Sequence, residues 1–339
     1  MPDMNSKERY FSCLRGEAMD HLPRVPILMQ FAAEYIDSNY GAFASDYRVL
    51  AEANIRCAED FGFDQLSAIS DPYRETAGFG GQTTFVENGV PRCTGPLEED
   101  EEIDANKLSL PDPMKAERMR DRIEGVRLMR ERVGDQYSIM GWVEGPGAEA
   151  ADIRGVSNFF MDLLDDDEAS GELMDLTLEN AINFAKKQIE AGADTIGIGE
   201  AIASQVSAEV YEELLFPRMK TLVESIREAG AFVKMHICGD ITHLLPHLRR
   251  LPINMIDIDH MVPLETARKE LGHGITICTN LDPANDVQRA TPESIREKLA
   301  AAYKRLGNPC MINAGCEIPA VTPHENLKAL CEPIPWKAD

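Results

Sequence analysis

Short, β-rich apolar runs alternate with longer amphipathic stretches along nearly the whole chain, and this alternation constrains the fold more than any other feature. Eight runs stand out: RVPILMQF, QLSAIS, YSIMGWVEG, DTIGIGE, AFVKMHICG, MIDIDH, GITICTN and PCMINAGC. Near-continuous apolar strands suit a parallel sheet buried on both faces. The stretches between them carry helix end signals. ASGELMDLTLENAINFAKKQIEAG and SAEVYEELLFPRMKTLVESIREAG both close on a glycine suited to the left-handed position after a helix. TPESIREKLAAAYKRLG opens with Thr291 as N-cap and Pro292 in the first turn. Pro217, inside the second of these helices, predicts a kink. Eight βα units in succession predict an α/β fold of the closed (β/α)8, or TIM-barrel, type. The 339 residues fit one such barrel of about 250 residues with additions, so residues 1–339 read as a single domain.

Two regions depart from the repeat. Residues 1–22 form an N-terminal extension, with a helix ending by about Asp20. Residues 72–136 form an insertion after the second run. It contains a hairpin, QTTFVENGVPRC, with Asn88-Gly89 as its turn, then the acidic loop GPLEEDEEID and a helix before Tyr137.

The net charge of −24 argues against a partner with a phosphate backbone and against anionic membrane surfaces. No apolar run approaches the roughly 20 residues that span a bilayer. The start, MPDMNSKERYF, lacks the basic-then-apolar layout of a signal peptide. The expected setting is cytoplasmic, where the eight scattered cysteines are better read as metal ligands or buried residues than as disulfides.

Chemistry in such barrels sits at the C-terminal ends of the strands, and polar residues gather there. The second run leads to Asp71, the third ends in Glu144, the fourth in Glu200. The fifth delivers His236 and Cys238, the sixth Asp257 and Asp259, the seventh Asn280 and Asp282, and the eighth Cys316. Side chains two apart on a strand share a face, so His236 and Cys238 point together, and Cys316 can meet them at the same mouth. Two thiolates and an imidazole select zinc, and three protein ligands with an open position describe a catalytic rather than a structural site. The alternative is a satisfied core histidine with cysteines buried as small hydrophobes. Gly239 and Gly315, which permit close backbone approach, favour the metal. Glu200 is a candidate fourth, displaceable ligand. Asp257 and Asp259 are candidates for orienting His236 or binding substrate, and Glu144 for the site or for organising the Gly-Pro-Gly turn after it. Cys13, Cys57 and Cys331 read as packing, and Cys278 as buried with a lesser claim on the site.

The fragments SDPYRE, GWVEGPGAEAADIRG, HICGD, NLDP and NAGCEIPAVTPHENLKAL together resemble the uroporphyrinogen decarboxylase superfamily, in particular its zinc-dependent, corrinoid-linked methyltransferase branch. The resemblance extends over nearly the whole chain. It implies a (β/α)8 barrel, zinc on His236, Cys238 and Cys316, and methyl transfer to or from the cobalt of a corrinoid. Decarboxylases of the superfamily carry an arginine-rich RQAGR segment after the first strand, and here that place reads MQFAAEY. Asp71 matches their key aspartate without those arginines. The branch usually shows GD where this chain has Glu200, and GNLDP where it has TNLDP. Corrinoid-binding domains of this system show D-x-H-x-x-G, which neither DIDHMVP nor GDITHLL completes, so cobalamin is expected on a partner protein. The expected activity is demethylation of a small methylated substrate, such as a phenyl methyl ether, onto that partner. The rivals are a methylcobamide:thiol methyltransferase of the coenzyme M kind, a decarboxylase using Asp71, and a non-enzymatic, zinc-stabilised partner of a corrinoid protein. A second copy of the chain is a further candidate partner.

Overall fold

The computed structural model describes residues 4–338, so residues 1–3 of the expected N-terminal extension and residue 339 lie outside the described residues. Among the described residues nine strands occur in chain order: β1 (Gln65–Ser67), β2 (Gln82–Thr84), β3 (Arg92–Thr94), β4 (Ser138–Glu144), β5 (Thr195–Gly199), β6 (Phe232–Ile237), β7 (Met255–Ile258), β8 (Thr276–Cys278) and β9 (Cys310–Met311). Seven form one curled parallel sheet in the order β1-β4-β5-β6-β7-β8-β9. Every residue of β4 and β5 is buried, as strands wrapped by helices require.

The first apolar run is not a full strand. It fills the gap between β9 and β1 with a single parallel bridge, Arg24 to Ile312. Pro23 and Pro26 lack the N–H that a ladder needs. The remaining backbone groups still close the ring. Val25 N–H donates to Ile312 (2.8 Å), Ile312 N–H to Pro23 (2.7 Å), and Asp64 N–H to Arg24 (2.8 Å).

The bottom of the barrel is plugged by the helix Ser6–Leu14, opened by a capping box between Asn5 and Glu8. Tyr10 and Cys13 on this helix pack with Met255, Cys278 and Met311, and the Tyr10 hydroxyl lies 3.0 Å from Thr195 Oγ1. Cys278 therefore belongs to the floor, not to the mouth. Cys57 and Cys331 are also buried core residues, as their helical pattern predicts.

The insertion contains the expected hairpin, β2 against β3, but with three-residue strands and a loop over residues 85–91. Gly89 is absent from the positive-φ positions, so Asn88-Gly89 does not make the two-residue turn that its sequence suggests. The helix before Tyr137 is Glu117–Val133. Around Pro217 the expected single helix is divided. A π-turn, Tyr211–Leu215, precedes Phe216–Glu228, and Pro217 sits in that helix's first turn, where its missing N–H costs nothing. Gly192 and Gly230 follow their helices at φ 114° and 94°, and Thr291 accepts from Ser294 N–H as the N-cap of Pro292–Leu306.

Candidate metal centre and the barrel mouth

The ladder places four residues in one row across the mouth: Glu144 beside Gly199, Gly199 beside His236, and His236 beside Asp257. Two residues deeper runs a second row, with Trp142, Gly197, Lys234 and Met255. The two glycines of β5 are essential to the interior. A Cβ on Gly197 would lie 2.3 Å from the Trp142 ring, and one on Gly199 would lie 2.7 Å from Glu144 Oε2. Their absence lets the indole reach across β5, so that its ring centre stands 5.9 Å from that of His236.

His236 Nε2, Cys238 Sγ and Cys316 Sγ form a triangle with sides of 3.2, 3.6 and 3.9 Å. Tetrahedral zinc with bonds of about 2.0 Å to nitrogen and 2.3 Å to sulfur needs ligand separations of about 3.5–3.8 Å, so the triangle fits that ion. Among the described residues these three are the only cluster of such donors. The cysteines come together because β6 ends at Ile237 and turns at Gly239, φ 87°, while Gly315 packs against the backbone N of His260, where a Cβ would come within 2.7 Å.

Electrostatics at the triangle favours a cation. The hydrogen bond from Cys238, together with His236, pulls the Cys316 thiol down to about 4, and the same sulfur pushes Cys238 up. One thiolate forms easily, and a second needs a positive charge between them. Burial alone would depress His236, but Asp257 and Cys316 outweigh it and raise it to about 9.

Asp257 stands behind the imidazole, with Oδ2 3.5 Å from His236 Nδ1. The same oxygen is 2.6 Å from Lys234 Nζ, and Asn313 Nδ2 donates to Oδ1 at 3.0 Å. Lys234, fully buried inside an apolar run, was missed in the sequence; its inward parity with His236 was the available signal. Burial works against ionisation of Asp257, but Lys234 and His236 hold it well below the usual carboxylate range. Removing one member of such a pair leaves an uncompensated buried charge, at a cost of about 3–5 kcal/mol.

Asp259 is not behind the histidine. It accepts from the backbone N–H of Gly239 and Met261, both at 3.1 Å, and lies 2.7 Å from His260 Nδ1. It shapes the loop that carries Cys238. Asn280 donates to the Asp259 and Val262 carbonyls, and Asp282 caps the turn Pro283–Gln288.

Glu200 does not join the triangle. Its carboxylate turns the other way and accepts from the backbone N–H of Ala148 (2.6 Å) and Gly147 (3.3 Å), at the start of the helix Pro146–Arg154. Four unpaired N–H groups and the helix dipole make that position attractive to a carboxylate. The Gly-Pro-Gly turn makes room for it, since a Cβ on Gly145 would lie 2.1 Å from Glu200 Oε2. Burial, only partly offset by these bonds, pushes Glu200 up to about 8.

Asp71 and Glu144 lie on the β1–β4 side, each with an arginine that the sequence reading did not assign. Arg118 grips Asp71 through both terminal nitrogens, at 2.9 and 2.6 Å. Burial raises and Arg118 lowers Asp71, and the arginine prevails. Glu144 Oε1 accepts from Arg74 Nη2 and from Trp142 Nε1, both at 2.9 Å. Arg74 is fully buried and also bonds the Asp71 carbonyl. Glu75, Glu149 and Asp152 surround this group, giving more carboxyls than guanidiniums. Burial, against the attraction of Arg74 and with the repulsion of Glu75, pushes Glu144 up to about 8. Burial and Glu75 do the same for Asp152, and also raise Glu149 well above the usual carboxylate range.

The sequence profile of the uroporphyrinogen decarboxylase (URO-D) family matches residues 5–334. A methylcobamide:CoM methyltransferase, MtbA, of Methanosarcina mazei is 28% identical, with 98% of each chain covered. A uroporphyrinogen decarboxylase of Anaeromyxobacter dehalogenans is 25% identical over 96% of this chain and 97% of its own. Among solved structures, a methyltransferase from Methanosarcina mazei superposes with a TM-score of 0.88 at 21% identity, covering 97% of both chains.

Proposed function

The chain belongs to the uroporphyrinogen decarboxylase (URO-D) family, and from that premise we propose that it is a zinc-dependent, corrinoid-linked methyltransferase. In this reading the whole chain is one catalytic unit that moves a methyl group between the cobalt of a partner corrinoid protein and a heteroatom of a small substrate. One observation carries it: an imidazole nitrogen and two sulfurs lie within 3.9 Å of one another at the barrel mouth, three donors rather than four. Three protein ligands leave a metal open to substrate, whereas a purely structural zinc is closed by four. Zinc supplies Lewis acidity there, stabilising negative charge on the substrate heteroatom. The chain's own part is to hold the donors. Asp257 fixes the imidazole so that Nε2 faces the sulfurs, and the Asp259 bonds set the loop that presents Cys238.

The substrate class we favour is a phenyl methyl ether, demethylated onto cobalt. Its phenolate departs as an oxyanion that needs a proton, and one buried carboxyl raised to about 8, that of Glu144, stands in the same row as His236. A second reading, methylation of a thiol by methylcobamide, is favoured by the activity of the MtbA relative. A decarboxylase reading has less support, because Asp71 is clamped by Arg118 and the Met29–Tyr35 segment offers no arginine for substrate carboxylates.

Two assays on zinc-loaded protein test the proposal: methyl transfer from methoxybenzenes to cob(I)alamin, and from methylcobalamin to a thiol. The first is expected to proceed. Activity only in the second replaces ether by thiol, and activity in neither overturns the methyltransferase reading.

A further inference from the structure

We propose that Glu144 is the catalytic acid–base residue of the site, exchanging a proton with the substrate heteroatom as the methyl group moves. This rests on the methyl-transfer reading above. Glu144 ends β4 two strands from His236 in the same row, and the residue between them is Gly199, which has no side chain to separate them. Strands about 4.8 Å apart put the two backbones about 10 Å from each other, a gap that a glutamate and an imidazole reach into from opposite sides. Glu144 keeps 8% of its surface accessible, whereas Arg74 behind it is sealed.

The groups around Glu144 suit a residue that gives up a proton and regains it. Arg74 donates to Oε1 and favours the carboxylate once it forms. Trp142 donates to the same oxygen and, more weakly than the guanidinium, also favours the carboxylate. Oε2 is the atom left to carry the proton, and it is the one that lies over Gly199. Glu75 accepts from the Glu144 backbone N–H at 3.0 Å. Behind it Glu149 is 1% exposed and its oxygens lack a well-formed hydrogen bond, which a neutral acid tolerates and an anion does not. Asp152 is partly exposed. Glu200, on the far side, repels a negative Glu144.

In the ether direction the bond between the methyl carbon and the oxygen breaks. The methyl carbon bonds to cobalt(I) of the corrinoid, which supplies both electrons of the new bond, and the bonding pair of the ether stays on oxygen. The proton passes from Glu144 Oε2 to that oxygen, leaving a carboxylate beside Arg74 that regains a proton from water. In the thiol direction Glu144 starts as the carboxylate and takes the thiol proton.

The experiment compares wild type with Glu144→Gln across substrates graded by heteroatom pKa, in whichever direction wild type transfers methyl. The expected loss is about 100-fold or more for heteroatoms of high pKa and a few-fold for those of low pKa, the spread that general acid–base catalysis gives. Glu144→Asp is expected to restore part of the loss on high-pKa substrates. A uniform loss across the series reveals a structural role and overturns the proposal alone. An inactive wild type overturns the methyl-transfer reading and the proposal with it. A second readout needs neither metal nor substrate. The chain has two tryptophans, Trp142 and Trp336, so in a Trp336→Phe background the fluorescence of metal-free protein reports the Glu144 hydrogen bond. An inflection near the value of about 8 set by burial and Glu75, lost in Glu144→Gln, supports the proposal. A flat titration overturns it.

Discussion

The barrel mouth has two sides that meet the same difficulty, buried ionisable groups, in opposite ways. On the β6–β9 side, two sulfurs and an imidazole surround a space the size of one ion, and the second sulfur gives up its proton only if a cation enters. On the β1–β5 side, the carboxyls turn towards partners within the chain. Asp71 takes Arg118, Glu144 takes Arg74, and Glu200 takes the N-terminus of the helix Pro146–Arg154. What remains uncompensated there is neutralised by protons, as the raised Glu144, Asp152 and Glu200 indicate. Donors that converge on a shared space suit a cation, and carboxyls that turn to partners within the chain hold protons instead.

The largest effect that tests this contrast comes from the sulfur side. Cys316→Ser is expected to weaken zinc binding by more than about 100-fold and to abolish methyl transfer. Metal analysis after dialysis, with far-UV circular dichroism as a fold control, measures it; full zinc content with unchanged turnover removes Cys316 from the site. Asp257→Asn comes next. Loss of the carboxylate behind His236 is expected to lower zinc affinity by about 10–100-fold, read by competition with a chromophoric chelator. An unchanged affinity leaves Asp257 as a partner of Lys234 only.

The carboxyl side is tested by pH. The native values of Glu144 and Asp152, each about 8, stand above those of the unfolded chain near 4. Between these limits the native state holds more protons than the unfolded state. Stability is therefore present at low pH and lost as pH rises through the window, by about 1 kcal/mol per pH unit for each such group. Urea unfolding at about pH 5.5, 7 and 8.5 should show that decline. Asp71, depressed by Arg118, has the opposite sign: its contribution is present above the unfolded value and disappears on acidification. The smallest effect separates the two sides directly. Glu200→Gln keeps an oxygen for the N–H groups of Gly147 and Ala148 and should cost no more than about 1 kcal/mol, with zinc content unchanged. Loss of zinc in that variant would return Glu200 to the metal.

The sulfur side was legible in the sequence because it depends on short-range rules. Parity along a strand joins His236 to Cys238, and strand ends place Cys316 opposite. The proton-holding side was not, because its pairs join residues far apart in the chain, such as Arg118 with Asp71 and Arg74 with Glu144. An arginine on the helix Glu117–Val133 has no local pattern that marks it as a partner for a strand end. Glu200 could be located but not oriented, since its direction is set by glycines in a turn more than fifty residues earlier. The eight runs gave the barrel, and the exception in the first of them was written in Pro23 and Pro26 all along.

Gly199, with no side chain, stands between the two sides in the row across the mouth. Alanine there would insulate them from each other, pushing the glutamate aside while leaving every sulfur in position. On the roles proposed for the two sides, a barrel so altered would still load metal yet be cut off from its supply of protons, so that a single missing methyl group would act as the junction between two otherwise separate chemistries.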